Sequence, residues 1–237
     1  MALRGELRSV VDLNETQRSN MFDLMTQYYD NVPRAEFESD LAEKTDLALV
    51  FDHDTIVGFS TIRVDAVDTS SGPVRVLFSG DTIVDRSART ANPLARLVLE
   101  YGLTQDRAGG APLYWFLITK GFRTYRYLPL LFEEFSPCFN ASTPALEQEV
   151  IDGYGAARWP NLYDRARGVL VAPEESCRLI AGEAPITKER RADPHVAFFE
   201  AKNPRHAIGD ELCCVARVSE SNLTPAGNRI ARRFQTV

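Results

Sequence analysis

The spacing of apolar and polar residues predicts alternating strands and helices over the first 139 residues of the chain. Short apolar runs bounded by turn residues predict strands at 7–13, 46–52, 55–67, 74–85 and 113–119. Apolar positions three or four residues apart predict helices that begin at Asn14, Arg34 and Pro93, and a further helix over 123–135. The second and third strands form a hairpin around His53 and Asp54. The predicted order is therefore β-α-α-β-β-β-α-β-α.

Residues 140–237 show a less regular pattern of apolar positions. It predicts two helices and two strands, in the order helix 143–159, strand 167–172, helix 193–204 and strand 209–218. No composition change or flexible stretch marks a linker before this part of the chain. We therefore expect a core domain over 1–139 and, over 140–237, an α/β extension that packs on that core.

The net charge of −6 over 237 residues argues against broad, non-specific binding to nucleic acid or to an anionic membrane surface. It leaves room for a local basic pocket. The sequence contains no run of about eighteen apolar residues, which is the length needed to span a bilayer. We therefore expect a soluble protein without a membrane partner.

The four cysteines (Cys138, Cys177, Cys213 and Cys214) form no CxxC pair and have no histidine at metal-ligand spacing. We expect reduced thiols in a cytoplasmic protein. Side chains alternate between the two faces of a strand, so one of Cys213 and Cys214 is expected in the core. The three histidines add no metal-binding motif, and no metal ion is expected.

The turn Arg86–Pro93 joins a predicted strand to a predicted helix. Helix N–H groups and the helix dipole favour an anion at such a place. The turn contains Arg86 and Arg89 but no glycine, so a phosphate would be bound by guanidinium groups rather than by close approach to the backbone. Asn92 tolerates unusual backbone angles, whereas Pro93 supplies no N–H. The alternative is an ordinary exposed turn with two solvated arginines.

The order of elements over residues 7–135 resembles that of GNAT-type N-acyltransferases. The motif of that family begins with Val and places Arg or Gln five residues later, before two glycine-like positions. The matching string here is VDRSARTANPL, which starts at Val84, has Arg89 at the basic position, and has Asn92 and Leu94 at the glycine-like ones. The resemblance implies an α/β (α+β) fold in which helices flank a central mixed, mostly antiparallel sheet.

The same resemblance implies where the chemistry lies. Asp81 precedes the turn, where the family carries an acidic base or a residue that holds a water molecule. Ser79 is a further candidate catalytic residue, and Gly80 inside the strand indicates a bulge or a close approach of ligand. Ile83 and Val84 are expected beside the acyl donor. The alternative is that Asp81 only caps a backbone irregularity.

The stretch 119–129 follows a buried strand and lies beside the donor in the fold that the chain resembles. Tyr125 is the preferred general acid on this stretch, a role that the family often gives to a tyrosine. Tyr127 is the second choice, and residues two apart lie on different faces of a helix. Either tyrosine alone can instead be a core aromatic without a role in the reaction.

Lys120, Arg123 and Arg126 are spaced by three, which predicts one face at the start of a helix. Next to Arg86 and Arg89, these cations would hold the phosphates of coenzyme A, of a phosphopantetheinyl carrier protein, or of the acceptor end of an aminoacyl-tRNA. The alternative is a solvated face of the helix.

Three functions therefore remain open. The first is transfer of an acyl group from an acyl-CoA donor to the amine of a small-molecule acceptor. The second uses an aminoacyl-tRNA or an acyl carrier protein as the donor. The third is a non-catalytic GNAT-like protein that binds a ligand or a partner, with residues 140–237 filling the former cleft.

Overall fold

The computed structural model describes residues 3–91, 93–183 and 185–232, which form a large sheet with helices on both faces. The strands are β1 (Leu3–Ser9), β2 (Tyr29–Asp30), β3 (Asp46–Asp52), β4 (Thr55–Thr69), β5 (Gly72–Val84), β6 (Leu113–Thr119), β7 (Tyr163–Asp164), β8 (Val169–Leu170), β9 (Arg178–Leu179) and β10 (Glu211–Arg217). The helices are α1 (Glu15–Thr26), α2 (Arg34–Ala42), α3 (Leu94–Arg107), α4 (Phe122–Tyr125), α5 (Tyr127–Leu131), α6 (Ala145–Arg158), α7 (Pro194–Lys202) and α8 (Pro225–Arg232).

The main sheet has eight strands in the order β1-β3-β4-β5-β6-β10-β8-β7. All neighbouring pairs are antiparallel except β5 and β6, which run parallel. The strands β2 and β9 form a separate two-stranded sheet. This architecture confirms the predicted class, a mixed and mostly antiparallel sheet flanked by helices.

Helices cover both faces of the sheet because its strands carry apolar side chains on both faces. On one face, α3 packs Leu97, Val98 and Leu103 over β3 to β6. On the other face, α1 and α2 cover β3 and β4, and α6 covers β5, β6 and β10. No helix in the described part of the chain combines the length and apolar character needed to cross a membrane.

The start of α1 is fixed by a capping box, as its sequence predicts. The side chain of Asn14 accepts a hydrogen bond from the backbone N–H of Gln17 at 2.9 Å, and the Gln17 side chain accepts one from the Asn14 N–H at 3.2 Å. These two bonds satisfy amides that a helix start otherwise leaves unpaired.

The extension at 140–237 contributes to the same sheet, because β10 pairs with β6 from Leu212–Thr119 to Arg217–Tyr114. Helices lie on both sides of β10, so Cys213 and Cys214 are both buried, one on each face. The expectation that one of these thiols lies in the core thus holds for both. The division of the chain at residue 139 stays a prediction.

The first strand lies earlier than the predicted 7–13. β1 occupies Leu3–Ser9 because it pairs along its whole length with β3, and the pairing ends at Ser9 opposite Asp46. The apolar run then forms a short 3-10 turn in which Val10 is buried while Val11 is 85% exposed.

The predicted helix over 123–135 is divided into the short helices α4 and α5, which meet at Arg126 and end at Leu131. Pro129 fits this arrangement because it is the third residue of α5, where a backbone N–H has no partner inside the helix. The predicted helix start at Pro93 is also shifted. Pro93 is the N-cap of α3, and Arg86–Ala91 forms a 3-10 turn before it. Asn92 lies outside the described residues.

The parallel strands β5 and β6 separate near the middle of the sheet. They pair from Arg75–Leu113 to Ser79–Leu117, and β5 then continues to Val84 without a β6 partner among the described residues. A β-bulge lies in β5 just after this point, where Asp81 and Thr82 are opposite the single residue Ser60 of β4, and Asp81 has a φ of +31°. These irregularities turn the end of β5 away from β6 and open the sheet.

We expect Gly80→Ala to lower the free energy of unfolding by about 1–3 kcal/mol, as overpacking does in a buried site. A Cβ at Gly80 would lie 3.0 Å from Oγ1 of Thr61 and 3.2 Å from the ring of Phe78. The matched control is Gly121→Ala, whose Cβ would meet only a terminal methyl of Leu179 at 3.4 Å. Urea denaturation of the two variants measures the difference. Equal stabilities would show that Gly80 is not required for the separation of β5 and β6.

Candidate functional site

A cavity of about 1210 Å³ opens where β5 and β6 separate. Five parts of the chain supply most of its walls, because the sheet and the helices on it bring them together, and Glu211 at the start of β10 also lines it. These parts are the end of β5, the start of α3, the end of β6 with α4 and α5, the segment from α1 to α2, and residues 177–183 of the extension.

Asp81 lines this cavity at the point of separation. Burial, followed by the negative charge and the hydrogen bond of Asp40, raises the pKa of the Asp81 carboxyl to about 7. Lys44 and Lys120 oppose this shift. A carboxyl that titrates near neutral pH is suited to accept a proton there, and the catalytic role expected of Asp81 stays a prediction.

Asp40 is the ionised partner of Asp81. Burial disfavours its charge, but the hydrogen bond from Asp81 and the positive charge of Lys44 outweigh burial and lower the pKa of Asp40. The buried Lys44 ammonium donates to the Asp40 carbonyl at 3.1 Å and to its carboxylate, and lies 5.7 Å from the centre of the Phe78 ring. Asp81 and Asp40 therefore share one proton, with Lys44 as their counter-ion.

Ser79 lines the cavity, but its hydroxyl is bound within the sheet. Its side chain is buried, and its hydroxyl accepts a hydrogen bond from the indole N–H of Trp115 at 2.7 Å. That bond joins β5 to β6 just before they separate. Ile83 and Val84, expected beside the donor, both line the cavity.

Tyr125 does not face the cavity, contrary to the expectation that it is the general acid. Its ring is fully buried against Phe135 and Phe199, and its hydroxyl donates to the carbonyl of Pro137 at 2.8 Å. Burial raises the pKa of Tyr125 far above the usual range of a phenol. Tyr127, which points to a different side of the chain, lines the cavity instead.

Lys120, Arg123 and Arg126 do not share one face, because Lys120 precedes the four-residue helix α4. Lys120 is mostly buried, donates to the Cys177 carbonyl at 3.0 Å and pairs with Glu211 at 3.2 Å. Arg126 pairs with Asp193 at 3.3 Å and is absent from the cavity lining. Lys120 and Arg123 both line the cavity, and of the three cations Arg123 is the one that interacts with the turn arginines. The predicted continuous stripe of cations is therefore wrong.

The turn itself is held by hydrogen bonds around Tyr28. The Tyr28 hydroxyl donates to Asp85 at 2.8 Å and accepts from the Arg86 N–H at 3.0 Å. Arg89 donates to the Val84 carbonyl at 3.2 Å and lines the cavity, whereas the more exposed Arg86 does not. The turn thus presents Arg89 to the cavity.

Both turn arginines contact Glu183 of the extension. The guanidinium of Arg89 lies 3.0 Å from one Glu183 oxygen, and that of Arg86 contacts the other. Arg123 interacts with both turn arginines and with Arg190, since burial and then the charges of Arg89, Arg190 and Arg86 lower the pKa of Arg123. Two guanidinium groups therefore contact the Glu183 carboxylate, and Arg123 adds positive charge close to them.

Sequence reasoning missed Asp40, Lys44, Glu183, Arg190 and Glu211. The spacing of four between Asp40 and Lys44 is a signal for an ion pair at the end of a helix, but it does not show that the pair is buried. The other three belong to the extension, and only the folded chain brings Glu183 and Glu211 to the cavity and Arg190 close to Arg123. Over the described ranges, no group of three His, Cys, Asp or Glu side chains could hold a metal ion.

No protein-family model matches the chain, and no curated protein matches it. Solved structures similar to it include a conserved Enterococcus faecalis protein described as a probable N-acyltransferase, with 12% identity over 53% of this chain and 31% of that one and a TM-score of 0.42. A GCN5-related N-acetyltransferase from Kribbella flavida has 17% identity over 56% of this chain and 34% of that one, with a TM-score of 0.41.

A third similar structure is the GNAT family N-acetyltransferase YhbS from Escherichia coli in complex with CoA. It has 19% identity over 54% of this chain and 69% of that one, with a TM-score of 0.37. The match spans about a third of the length of the first two structures. All three proteins are named as N-acyltransferases or N-acetyltransferases, the class of enzymes that the sequence resembles. The assignment of fold here rests on the strand order and pairing described above.

We expect the free energy of unfolding of Asp81→Asn, minus that of the unsubstituted protein, to rise by about 1–3 kcal/mol between about pH 4 and about pH 7. Above about pH 7 this difference should stay constant. The raised pKa means that folded Asp81 keeps a proton in this window that the unfolded chain has lost. Stability of the unsubstituted protein therefore falls as pH rises through the window, whereas an asparagine amide donates to Asp40 at every pH.

Urea denaturation at a series of pH values measures this difference. The control is Asp54→Asn, in the exposed turn between β3 and β4, which should leave the pH dependence unchanged. If the free energies of unfolding of Asp81→Asn and the unsubstituted protein differ by the same amount at every pH between about 4 and about 7, Asp81 and Asp40 do not share a proton.

Proposed function

We propose that this chain is an acyltransferase that moves an acyl group from an activated thioester or ester to the amine of a small-molecule acceptor. The observation that carries the proposal is the position of Asp81. Its carboxyl titrates near neutral pH and lies where β5 and β6 separate, between a wall rich in arginine and a wall rich in carboxylates.

The arginine wall suits a donor that carries phosphate groups. Arg89 and Arg123 line this end of the cavity, and guanidinium groups bind phosphate through paired hydrogen bonds. Beyond Ser79, one edge of β5 has no strand partner in the described ranges of the chain. An extended donor arm that contains amides can bind such an edge as an added strand does. Acyl-CoA has both features, so we propose it as the donor.

The opposite wall suits an amine, which is a cation near neutral pH. Glu36, Asp40, Asp81 and Glu211 line this part of the cavity, together with aromatic rings that include Tyr29. Carboxylates and aromatic faces both attract an ammonium group. A positively charged acceptor would therefore bind with its amine beside Asp81.

The proposed reaction follows from this arrangement. Asp81 accepts a proton from the bound ammonium, directly or through one water molecule, and leaves a neutral amine. The amine nitrogen attacks the carbonyl carbon of the donor, the new C–N bond forms, and the C–S bond of the thioester breaks. The departing thiolate receives the second proton that the nitrogen must lose. Tyr127 is the tyrosine of α5 that lines the cavity. It can relay this proton, by donating its own hydroxyl proton to the thiolate and taking up the proton that the nitrogen loses.

The other two functions make different demands on the surface. A carrier protein or an aminoacyl-tRNA would need cations that extend beyond the cavity, but Lys120 and Arg126 already form ion pairs with Glu211 and Asp193. A non-catalytic binding protein would show no turnover with any donor. Measuring acyl transfer to a set of small amines from acetyl-CoA, a charged carrier protein and bulk aminoacyl-tRNA tests all three. Transfer from acetyl-CoA supports the proposal, and no transfer from any donor overturns it.

We expect Asp81→Asn to lower turnover at least about tenfold, the minimum for the loss of a positioned acid–base group. Turnover of the unsubstituted protein should rise with pH and level off above about 7, because only the ionised carboxyl accepts a proton. Steady-state kinetics as a function of pH measure both effects, with Asp54→Asn as control. A folded Asp81→Asn variant with full turnover would remove Asp81 from the reaction.

We expect Tyr127→Phe to reduce kcat, and Tyr125→Phe to leave kcat unchanged. Of these two tyrosines, only Tyr127 lines the cavity, whereas the hydroxyl of Tyr125 donates a hydrogen bond to the carbonyl of Pro137. Loss of that buried hydrogen bond should instead destabilise Tyr125→Phe by about 1 kcal/mol. The two variants make the same chemical change, so kinetics and urea denaturation of both separate the roles. A drop in kcat confined to Tyr125→Phe would reverse the assignment.

A further inference from the structure

Residues 177–183 of the extension form a strap along one side of the cavity. Within it, β9 pairs with β2, and the N–H of Ile180 donates to the carbonyl of Tyr28 at 2.9 Å. The Lys120 ammonium donates to the carbonyl of Cys177 at the beginning of the strap. The strap is thus attached to the segment between α1 and α2 and to the end of β6, and its last residue reaches the turn after β5.

That last residue is Glu183, whose carboxylate occupies the arginine site. Its side chain is only 3% exposed, and its two oxygens contact Arg86 and Arg89. A carboxylate and a phosphate present similar pairs of oxygen atoms to a guanidinium group. Glu183 therefore occupies the position on these arginines that an anionic group of a ligand would need.

The site holds more positive charge than Glu183 neutralises. Burial, and then the positive charges of the two turn arginines and of Arg190, lower the pKa of Arg123. Besides Glu183, Asp85 places negative charge beside Arg89, so the four arginines together keep a net positive charge. A diphosphate carries more charge than a carboxylate, so it can replace Glu183 with a gain in electrostatic attraction.

We propose that Glu183 is an internal anion that closes the arginine site, and that the phosphates of the donor must displace it to bind. The inference extends the proposed function, because it assigns the donor's phosphates to the same arginines. Displacement removes the contact that holds the end of the strap against the turn, so the strap loosens when an anion binds. The extension thereby controls access to the donor end of the cavity.

The first test measures binding of inorganic pyrophosphate by calorimetry. We expect Glu183→Gln to bind it at least about tenfold more tightly than the unsubstituted protein, because the competing charge is gone. The matched control is Glu175→Gln, an exposed carboxylate eight positions earlier in the extension, which should leave affinity unchanged. Arg89→Ala should weaken binding in both backgrounds. Equal or weaker binding by Glu183→Gln, or no binding by either protein, would overturn the inference.

The second test uses the unsubstituted protein and so does not depend on the folding of a variant. We expect pyrophosphate to speed amide hydrogen exchange in peptides that cover residues 177–183, because the strap loses its contact with the turn. Unchanged or slower exchange at saturating pyrophosphate would contradict displacement. Neither test requires acyl transfer. If only the proposed function is wrong, the protein will show no acyl transfer, but Glu183→Gln will still bind pyrophosphate more tightly than the unsubstituted protein.

Discussion

Two parallel strands that separate inside a sheet leave backbone N–H and C=O groups without a strand partner, and such groups must be bound by something else. In this chain the separation begins after Ser79 and is stabilised by local features on both sides. Gly80 lies too close to Thr61 and Phe78 for a Cβ, and Asp81 adopts a positive φ that costs energy for a residue other than glycine. The surrounding strands hold this conformation and so open the cavity at its centre.

The same opening determines which charges can be buried. Asp81 faces the cavity with a second carboxylate beside it, and this pair is tolerable because it shares a proton and because Lys44 lies behind it. On the other side of the gap, the mostly buried Lys120 is held by Glu211. Arg89, at the turn after β5, lines the same cavity. Carboxylates, a lysine and an arginine therefore meet around one opening in the sheet.

The fold was largely predictable because its signals are local. Period-two and period-3.6 patterns indicate strands and helices, and a cap such as Asn14 fixes a helix start. Boundaries that depend on pairing, as at the first strand, were not predictable. In the site, Asp81 was proposed from the sequence because the family resemblance places an acidic residue before the turn, and because a glycine interrupts its strand. Asp40 was missed because burial is not visible in helical spacing, and Glu183 because it lies 94 residues from Arg89 along the chain.

The extension has a larger part in the site than its irregular sequence suggests. It adds β10 beside β6, and the first residue of that strand, Glu211, neutralises Lys120 and keeps this cation out of the arginine site. The strap, through Glu183, places its own carboxylate on Arg89. Each carboxylate forms an ion pair with a cation, Glu211 with Lys120 and Glu183 with Arg89. The sequence pattern assigns both cations to a single phosphate-binding surface. The charges of the cavity are thus arranged by residues far apart in sequence, and the cations of the turn after β5 are paired with a carboxylate of the extension.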